Sequence, residues 1–284
     1  MPTHLVIFDA RSLYDPGWHA SRNRDDLNEV GSARCANGLV AGMLVNVLDR
    51  MVPRPTHLFV AWDGPVGKSN KPRGPKPPGF HNDKREFAAW WKLSMAGTHF
   101  TALPGTEADD LCASAAIKSV YDHTTVVSAD KDLHQLVSDK VRLYNPSKKC
   151  YVTKEDVLLR WGVDKPSHVA LALALIGDKG DGIDGVPGIG PKKAARCLAP
   201  HTGRSFIQIY DALAADHGKP FTESFEMVLL NRDLEVEEPT PIVLKHARSY
   251  LSPDGEVAWN RLVTKWSRPP LDDDTAHMGL VEEG

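Results

Sequence analysis

Two short strand-like runs, His4-Leu5-Val6-Ile7-Phe8 and His57-Leu58-Phe59-Val60-Ala61-Trp62, are apolar almost throughout, and each runs straight into an aspartate, Asp9 and Asp63. Between them, Ala36 to Met51 places apolar residues at helical spacing, and Pro53 and Pro55 close the segment. A strand, helix, strand unit predicts a parallel sheet, because parallel neighbours need a crossover between them. The alternation continues downstream. Thr106 is a predicted N-cap for a helix from Glu107 to Val120, followed by a strand from Thr124 to Ser128 and a turn at Asp130.

Residues 64 to 82 are rich in Pro, Gly and Lys with no apolar period, which predicts a loop, and Lys84 to Met95 predicts an aromatic-rich helix. From Pro166 an apolar helix extends to Ile176, then Gly177 to Pro191 holds six glycines and two prolines, and a further helix starts at Lys192. Residues 204 to 265 read as helices and loops, and Asp272-Asp273-Asp274 with the last ten residues as a frayed acidic tail. The expected organisation is an α/β core over 1–165, with a central mostly parallel sheet flanked by helices. A helical subdomain over 166–284 would carry the glycine hairpin 177–198 and the acidic tail.

With 284 residues, 42% hydrophobic and 25% charged, the chain has ordinary globular values, which exclude a mini-protein, a fibre or a disordered chain. No stretch reaches the length of a transmembrane helix, and Met1-Pro2-Thr3-His4-Leu5 lacks the basic region and long apolar run of a secretory signal. Cys35, Cys112, Cys150 and Cys197 form no Cys-x-x-Cys pair and have no His pair at zinc spacing, so four buried reduced thiols and a cytoplasmic compartment are expected, with no membrane contact. The net charge of −3 is small, yet its distribution is uneven. Lys68, Lys71, Arg73, Lys76, Lys84, Arg85 and Lys92 face only Asp83 and Glu86 in their own segment, while acids collect at 107–132 and 178–184. A basic segment set against acidic clusters is how a phosphate-binding surface around a metal site reads.

The acids carry the candidate chemistry. In an open α/β sheet functional groups gather beyond the carboxyl ends of the strands, where Asp9, Asp63, Asp130 and Asp132 fall. Any one of them could instead cap a helix or form a turn, but convergence of all four is hard to explain that way. Glu107-Ala108-Asp109-Asp110 adds three carboxylates in the first turn of a helix, where compensation of the helix dipole is the alternative. Asp178 and Asp181 follow at i, i+3 in a glycine-rich loop, where turn formation is the alternative. Ile183 to Ala195 then has the form of a helix, a tight glycine hairpin and a second helix. Gly188 and Gly190 would let the backbone approach a phosphate, and Lys192 and Lys193 would add charge. The segment is no Walker loop, since it lacks the Gly-Lys-Ser/Thr ending and follows a helix. A purely structural helix hairpin is the alternative.

In this order, Thr106-Glu107-Ala108-Asp109-Asp110-Leu111, Ser128-Ala129-Asp130-Lys131-Asp132-Leu133 and Gly177 through Lys193 resemble the flap endonuclease and 5′ nuclease family, over about residues 4 to 200. The resemblance implies a PIN-like 5′ nuclease fold with a helical arch over 64–100 and a helix-hairpin-helix-type (H3TH) motif in the helical subdomain. It implies that Asp9, Asp63, Glu107, Asp109, Asp110, Asp130 and Asp132 line a two-metal site completed by Asp178 and Asp181. So many facing carboxylates repel one another without cations, which accounts for the family's Mg²⁺ or Mn²⁺. It further implies a K⁺ ion at the hairpin, with Val186, Gly188 and Ile189 contributing carbonyls, and DNA contacts from Gly188, Gly190, Lys192 and Lys193.

The substrates implied are DNA 5′ flaps, nicks and free 5′ ends, cut by a monomer acting in replication and repair to leave a 5′ phosphate and a 3′ hydroxyl. The arch carries a Lys and an Arg toward the scissile phosphate in the family; Lys84 and Arg85 are the choices here, although the usual Lys-x-x-Arg spacing is absent and Lys76 competes. Phe80, Phe87, Trp90 and Trp91 are open to stacking on unpaired bases or to packing in arch or core. Ala10 stands where the family has Gly, and no Arg follows at its usual offset, so Arg11, Arg22 and Arg24 are candidates in its stead. Two other functions compete: a PIN-like ribonuclease, which would not need Gly185 to Lys193, and a non-catalytic DNA-structure-binding module in which the acids merely cap helices.

Overall fold

The computed structural model describes residues 2–22, 29–64, 91, 95–96, 99–245, 251 and 253–267. Its main sheet is built from β1 (His4–Asp9), β2 (His57–Ala61), β4 (His99–Thr101), β5 (His123–Val127), β6 (Val141–Asn145) and β7 (Cys150–Val152). The spatial order is β4-β2-β1-β5-β6-β7, and every pairing is parallel except the terminal β6–β7 hairpin. The α/β class and the mostly parallel sheet are therefore as expected. A separate two-stranded sheet pairs β3 (Met95–Ala96) with β8 (Val243–Leu244).

Helices cover both faces, and the strand residues divide between them with period two. Leu5 and Ile7 of β1, Phe59 and Ala61 of β2, and Leu143 of β6 point into one core. Val6 and Phe8, Leu58 and Val60, and Tyr144 point into the other. Burial on both sides is why the strands read as continuous apolar runs. The first core is roofed by α3 (Ala108–Ile117), α4 (Lys154–Trp161), α5 (Val169–Ile176), α6 (Pro191–Leu198), α7 (Phe206–His217) and α8 (Lys219–Val228). The second is roofed by α1 (Ala10–Arg22), α2 (Glu29–Asp49) and α9 (Pro253–Trp266). Helix α5 thus shares a core with the sheet, and α9 packs on α2.

Several local expectations are corrected. The helix expected over Ala36 to Met51 starts earlier, at Glu29. Met95, expected at the end of a helix, lies in β3, because its backbone pairs with Leu244. The helix expected to run to Val120 stops at Ile117, and its N-cap is Glu107 in place of Thr106, whose carbonyl instead accepts the Gly64 N–H at 2.9 Å. Trp91 is fully buried and meets Phe8 edge to face at 5.5 Å, so it is a core residue and no base platform. Of the cysteines, Cys35 and Cys112 are buried, but Cys150 is exposed and Cys197 half-buried. Lys84, Arg85, Lys76, Phe80, Phe87, Trp90, Arg24 and the acidic tail lie outside the described residues, as does most of the 64–100 segment. Among the described residues no helix is long and apolar enough to cross a membrane.

Candidate metal centre at the carboxyl edge of the sheet

Parallel order places the ends of β1, β2 and β5 side by side, so the acids that follow them meet at one edge. Asp9 is the last residue of β1, level with Ala61 of β2, and Asp63 follows two residues later. Asp9, Asp63, Glu107, Asp109, Asp130 and Asp181 line one cleft of about 360 Å³, together with Arg11, Ser12, Asp15 and Ser147.

Asp9 is the most enclosed of the group, and three donors hold it. Its Oδ2 accepts the Ser12 hydroxyl at 2.7 Å and the Ser128 hydroxyl at 2.8 Å, and its Oδ1 accepts the Arg11 N–H at 3.1 Å. Burial raises its pKa; the two serines work against that, and the charges of Asp130 and Asp63 add to it. Cys112, buried beneath, reports the same field. Burial pushes its thiol well up, and Asp9, Asp109, Asp130 and Asp63 push it further.

Asp63 bridges two elements. Its Oδ1 accepts the Ala108 N–H at 3.1 Å, capping α3 from the neighbouring strand, while its Oδ2 receives Arg11 Nη1 at 3.3 Å. Glu107 is consequently relieved of capping: its backbone is extended at φ −90° and its side chain makes no cap hydrogen bond. Asp109 accepts the Asp110 N–H, and Asp130 the Asp132 N–H, each at 2.9 Å. Asp110 is turned elsewhere, with its Oδ1 accepting the Asn231 N–H at 2.8 Å.

The second group comes from the glycine loop. Asp132, Asp178 and Asp181 each offer a carboxylate oxygen, and the three lie within 4.8 Å of one another. All-oxygen, all-anionic donors at this spacing suit a hard divalent cation, so the residues present fit Mg²⁺ or Mn²⁺. Asp181 belongs to both groups and joins them. Lys131 Nζ pairs with Asp178 at 2.7 Å.

Two close backbone approaches shape this loop. Asp178 and Ile183 exchange backbone hydrogen bonds at 2.7 and 2.8 Å. Gly177 (φ +77°) and Gly185 (φ +69°) sit against that bridge, where a Cβ on Gly177 would come within 2.5 Å of Ile183 O and one on Gly185 within 2.4 Å of Gly177 N. The following hairpin turns at Gly188 (φ +76°), closed by Ile189 N–H donating to Val186 O at 3.0 Å. Nothing lies within 4 Å of a Cβ on Gly190, and only Lys193 Nζ, at 4.0 Å, borders one on Gly188. Lys192 and Lys193 are exposed at the start of α6.

Ser12, Ser128, Asp15 and Lys131 were not singled out from sequence. The sequence signal for Ser12 is its place three residues after Asp9 at a helix start, whereas Ser128, the residue after β5, is brought to Asp9 only by the pairing of β5 with β1.

Comparison with known proteins agrees with this architecture. Residues 4–162 match the model of a family described as 5′-3′ exonuclease, N-terminal resolvase-like domain. A flap endonuclease Xni from Shewanella pealeana is 31% identical over 89% of this chain and 99% of its own length. A 5′-3′ exonuclease from Aquifex aeolicus is 32% identical over 65% of this chain and 68% of its own. In fold, a bacteriophage T5 flap endonuclease solved with DNA and metal ions superposes with a TM-score of 0.57 at 19% identity, covering 80% of this chain and 89% of that one.

Proposed function

The chain belongs to the flap endonuclease and 5′-3′ exonuclease family, and on that footing we propose that it is a structure-specific 5′ nuclease hydrolysing DNA phosphodiesters at flaps, nicks and free 5′ ends. The observation that carries this reading is one cleft lined by seven carboxylates at the sheet edge, joined through Asp181 to the three-aspartate cluster. A role limited to capping helices explains Asp63 but leaves that convergence without a cause.

Asp9, Asp63, Glu107, Asp109 and Asp130 would hold one divalent ion and Asp132, Asp178 and Asp181 the other, with Asp110 behind them. When bound, such a pair supplies a lowered water pKa and neutralises charge on the attacking and leaving oxygens. The chain's own residues do the rest. Ser12 and Ser128 orient the buried Asp9 carboxylate. The open hairpin at Gly188 and Gly190, with Lys192 and Lys193, receives the phosphates of the duplex through backbone amides and ammonium groups. The carbonyls of Val186, Gly188 and Ile189 would carry a K⁺ ion there, making the segment the H3TH motif, and Lys84 and Arg85 would reach the scissile phosphate from the arch. Products are a 5′ phosphate and a 3′ hydroxyl, and the enzyme works as a monomer.

A 5′-labelled flap, a nicked duplex and a matched RNA, each incubated with Mg²⁺ and with EDTA, test the reading. Mg²⁺-dependent cutting of the DNA substrates is expected. Binding of the flap without cleavage of any DNA in Mg²⁺ would replace it with the binding-module function, and preferential cutting of RNA with the ribonuclease.

A further inference from the structure

We propose that Arg11 grips a phosphate of the DNA strand seated in the cleft and that Asp15 is its positioning residue, an inference that rests on the nuclease reading. Among the described residues lining the cleft, Arg11 is the one basic side chain, and it stands among Asp9, Asp63, Glu107, Asp109, Asp130 and Asp181. A phosphate entering that cleft meets seven carboxylates and this one cation.

The guanidinium is held in place and only partly used. Nε donates to Asp15 Oδ2 at 3.2 Å and Nη1 to Asp63 Oδ2 at 3.3 Å. Five N–H donors are available to an arginine, so Nη2 and the second Nη1 proton remain for another acceptor. With its side chain 38% exposed, the group is open to that acceptor from solvent. A planar fork with two parallel donors suits phosphate oxygens better than a point charge does.

Placement comes from local geometry. Arg11 sits in the first turn of α1, where its own N–H is fixed by Asp9 Oδ1. Asp15, one turn later at i+4, lines the same cleft and holds Nε, so that with Nη1 on Asp63 the Nη2 donors are left unengaged. Asp15 is outside the carboxylates assigned above to the two ions, so its 3.2 Å contact with Nε would be kept with a cation bound at Asp63.

The test is a coupling measurement that does not depend on turnover. Flap DNA carrying one neutral methylphosphonate, placed in turn at the phosphates on either side of the junction, is titrated in Ca²⁺ against the wild-type protein, Arg11→Gln, Arg11→Lys and Asp15→Asn, with the substrate checked to be intact afterwards. The wild type is expected to lose at least about tenfold in affinity at one of these positions, the scale of a charge-assisted contact. Arg11→Gln should be weaker on unmodified DNA and lose less than about twofold further at that position. Arg11→Lys should recover part of the loss, and Asp15→Asn should shrink the coupling while Arg11 is still present. Equal losses for wild type and Arg11→Gln at every position would overturn the proposal and leave Arg11 as a counter-ion of Asp63. If Arg11→Gln fails to fold, the coupling is read from Arg11→Lys and Asp15→Asn against the wild type. Wild-type protein that binds and cuts flaps without coupling defeats this inference alone; wild-type protein that cuts no DNA defeats the nuclease reading.

Discussion

The two halves of the candidate metal centre are built by different means. Asp9, Asp63 and Asp130 hang from strand ends locked in register inside a two-faced core, so every backbone hydrogen bond of the sheet helps to place them. Asp178 and Asp181 hang from a turn whose shape depends on two glycines with positive φ, each abutting backbone atoms where no Cβ fits. The strand half is over-determined and the loop half rests on a few contacts. Changes near the loop should therefore be felt by both structure and chemistry, whereas in the strand half the two separate more cleanly.

Removing one ligand candidate from each half tests whether the halves act as one site. Asp130→Ala and Asp178→Ala are both expected to lower the cleavage rate beyond the roughly 10- to 100-fold that outer-shell partners of a metal cost, while flap affinity by anisotropy stays near wild type. Wild-type cutting by either variant would detach that half from the chemistry.

Next in size is the glycine contrast. Gly177→Ala forces a side chain into φ +77° and against Ile183 O, and should cost on the order of 2 to 5 kcal/mol in urea unfolding. Gly190→Ala, at φ −104° with nothing within 4 Å of its Cβ, should stay within about 0.5 kcal/mol. Similar costs for the two would contradict the account of the loop.

The strand half should carry an acid sensitivity of its own. His4, wedged between Pro53 O and Thr125 Oγ1, and His134, which accepts Trp161 Nε1, are both pushed down to about 4, chiefly by burial. The unfolded chain then binds more protons than the fold below its ordinary histidine pKa near 6.5. Stability is full above that value and falls as pH drops toward 4, by roughly 1.4 kcal/mol for each histidine at pH 5.5. Urea melts in EDTA at pH 7.5 and 5.5 measure this, and His4→Gln should shrink the difference by roughly 1.4 kcal/mol. An unchanged difference would mean that His4 is not among its sources.

The smallest effect is expected at the hairpin surface. Lys192→Ala should weaken duplex binding across sequences and reduce the slope of log affinity against log salt by about 0.9, the value for one phosphate contact. A slope equal to wild type would remove that contact.

Legibility in the sequence followed the same division. Strands β1 and β2 are legible because burial on both faces leaves apolar runs, β5 because Thr124 to Val127 are all β-branched, and each hands its acid to a predictable edge. The edge strands β4 and β7 and the short β3 and β8 carry no legible period in two or three residues, and β6 is equally unmarked because Arg142 and Asn145 interrupt its apolar positions. Within the acidic set, Glu107 and Asp110 look equivalent in sequence, both at the start of one helix. The fold separates them, because Asp63 caps α3 and leaves Glu107 lining the cleft, while Asn231, more than a hundred residues away, claims Asp110.

What the sequence by itself determined, then, was the alternating α/β plan, the order of the carboxylates and the glycine hairpin, because those depend on local period and on residue types at short range. Only the tertiary structure decided which carboxylates share a cleft, that Ser12 and Ser128 hold Asp9, and that Arg11 faces inward beside Asp63. Those facts depend on which strands become neighbours and in what register, and pairing across 50 to 120 residues leaves no periodic trace in the chain.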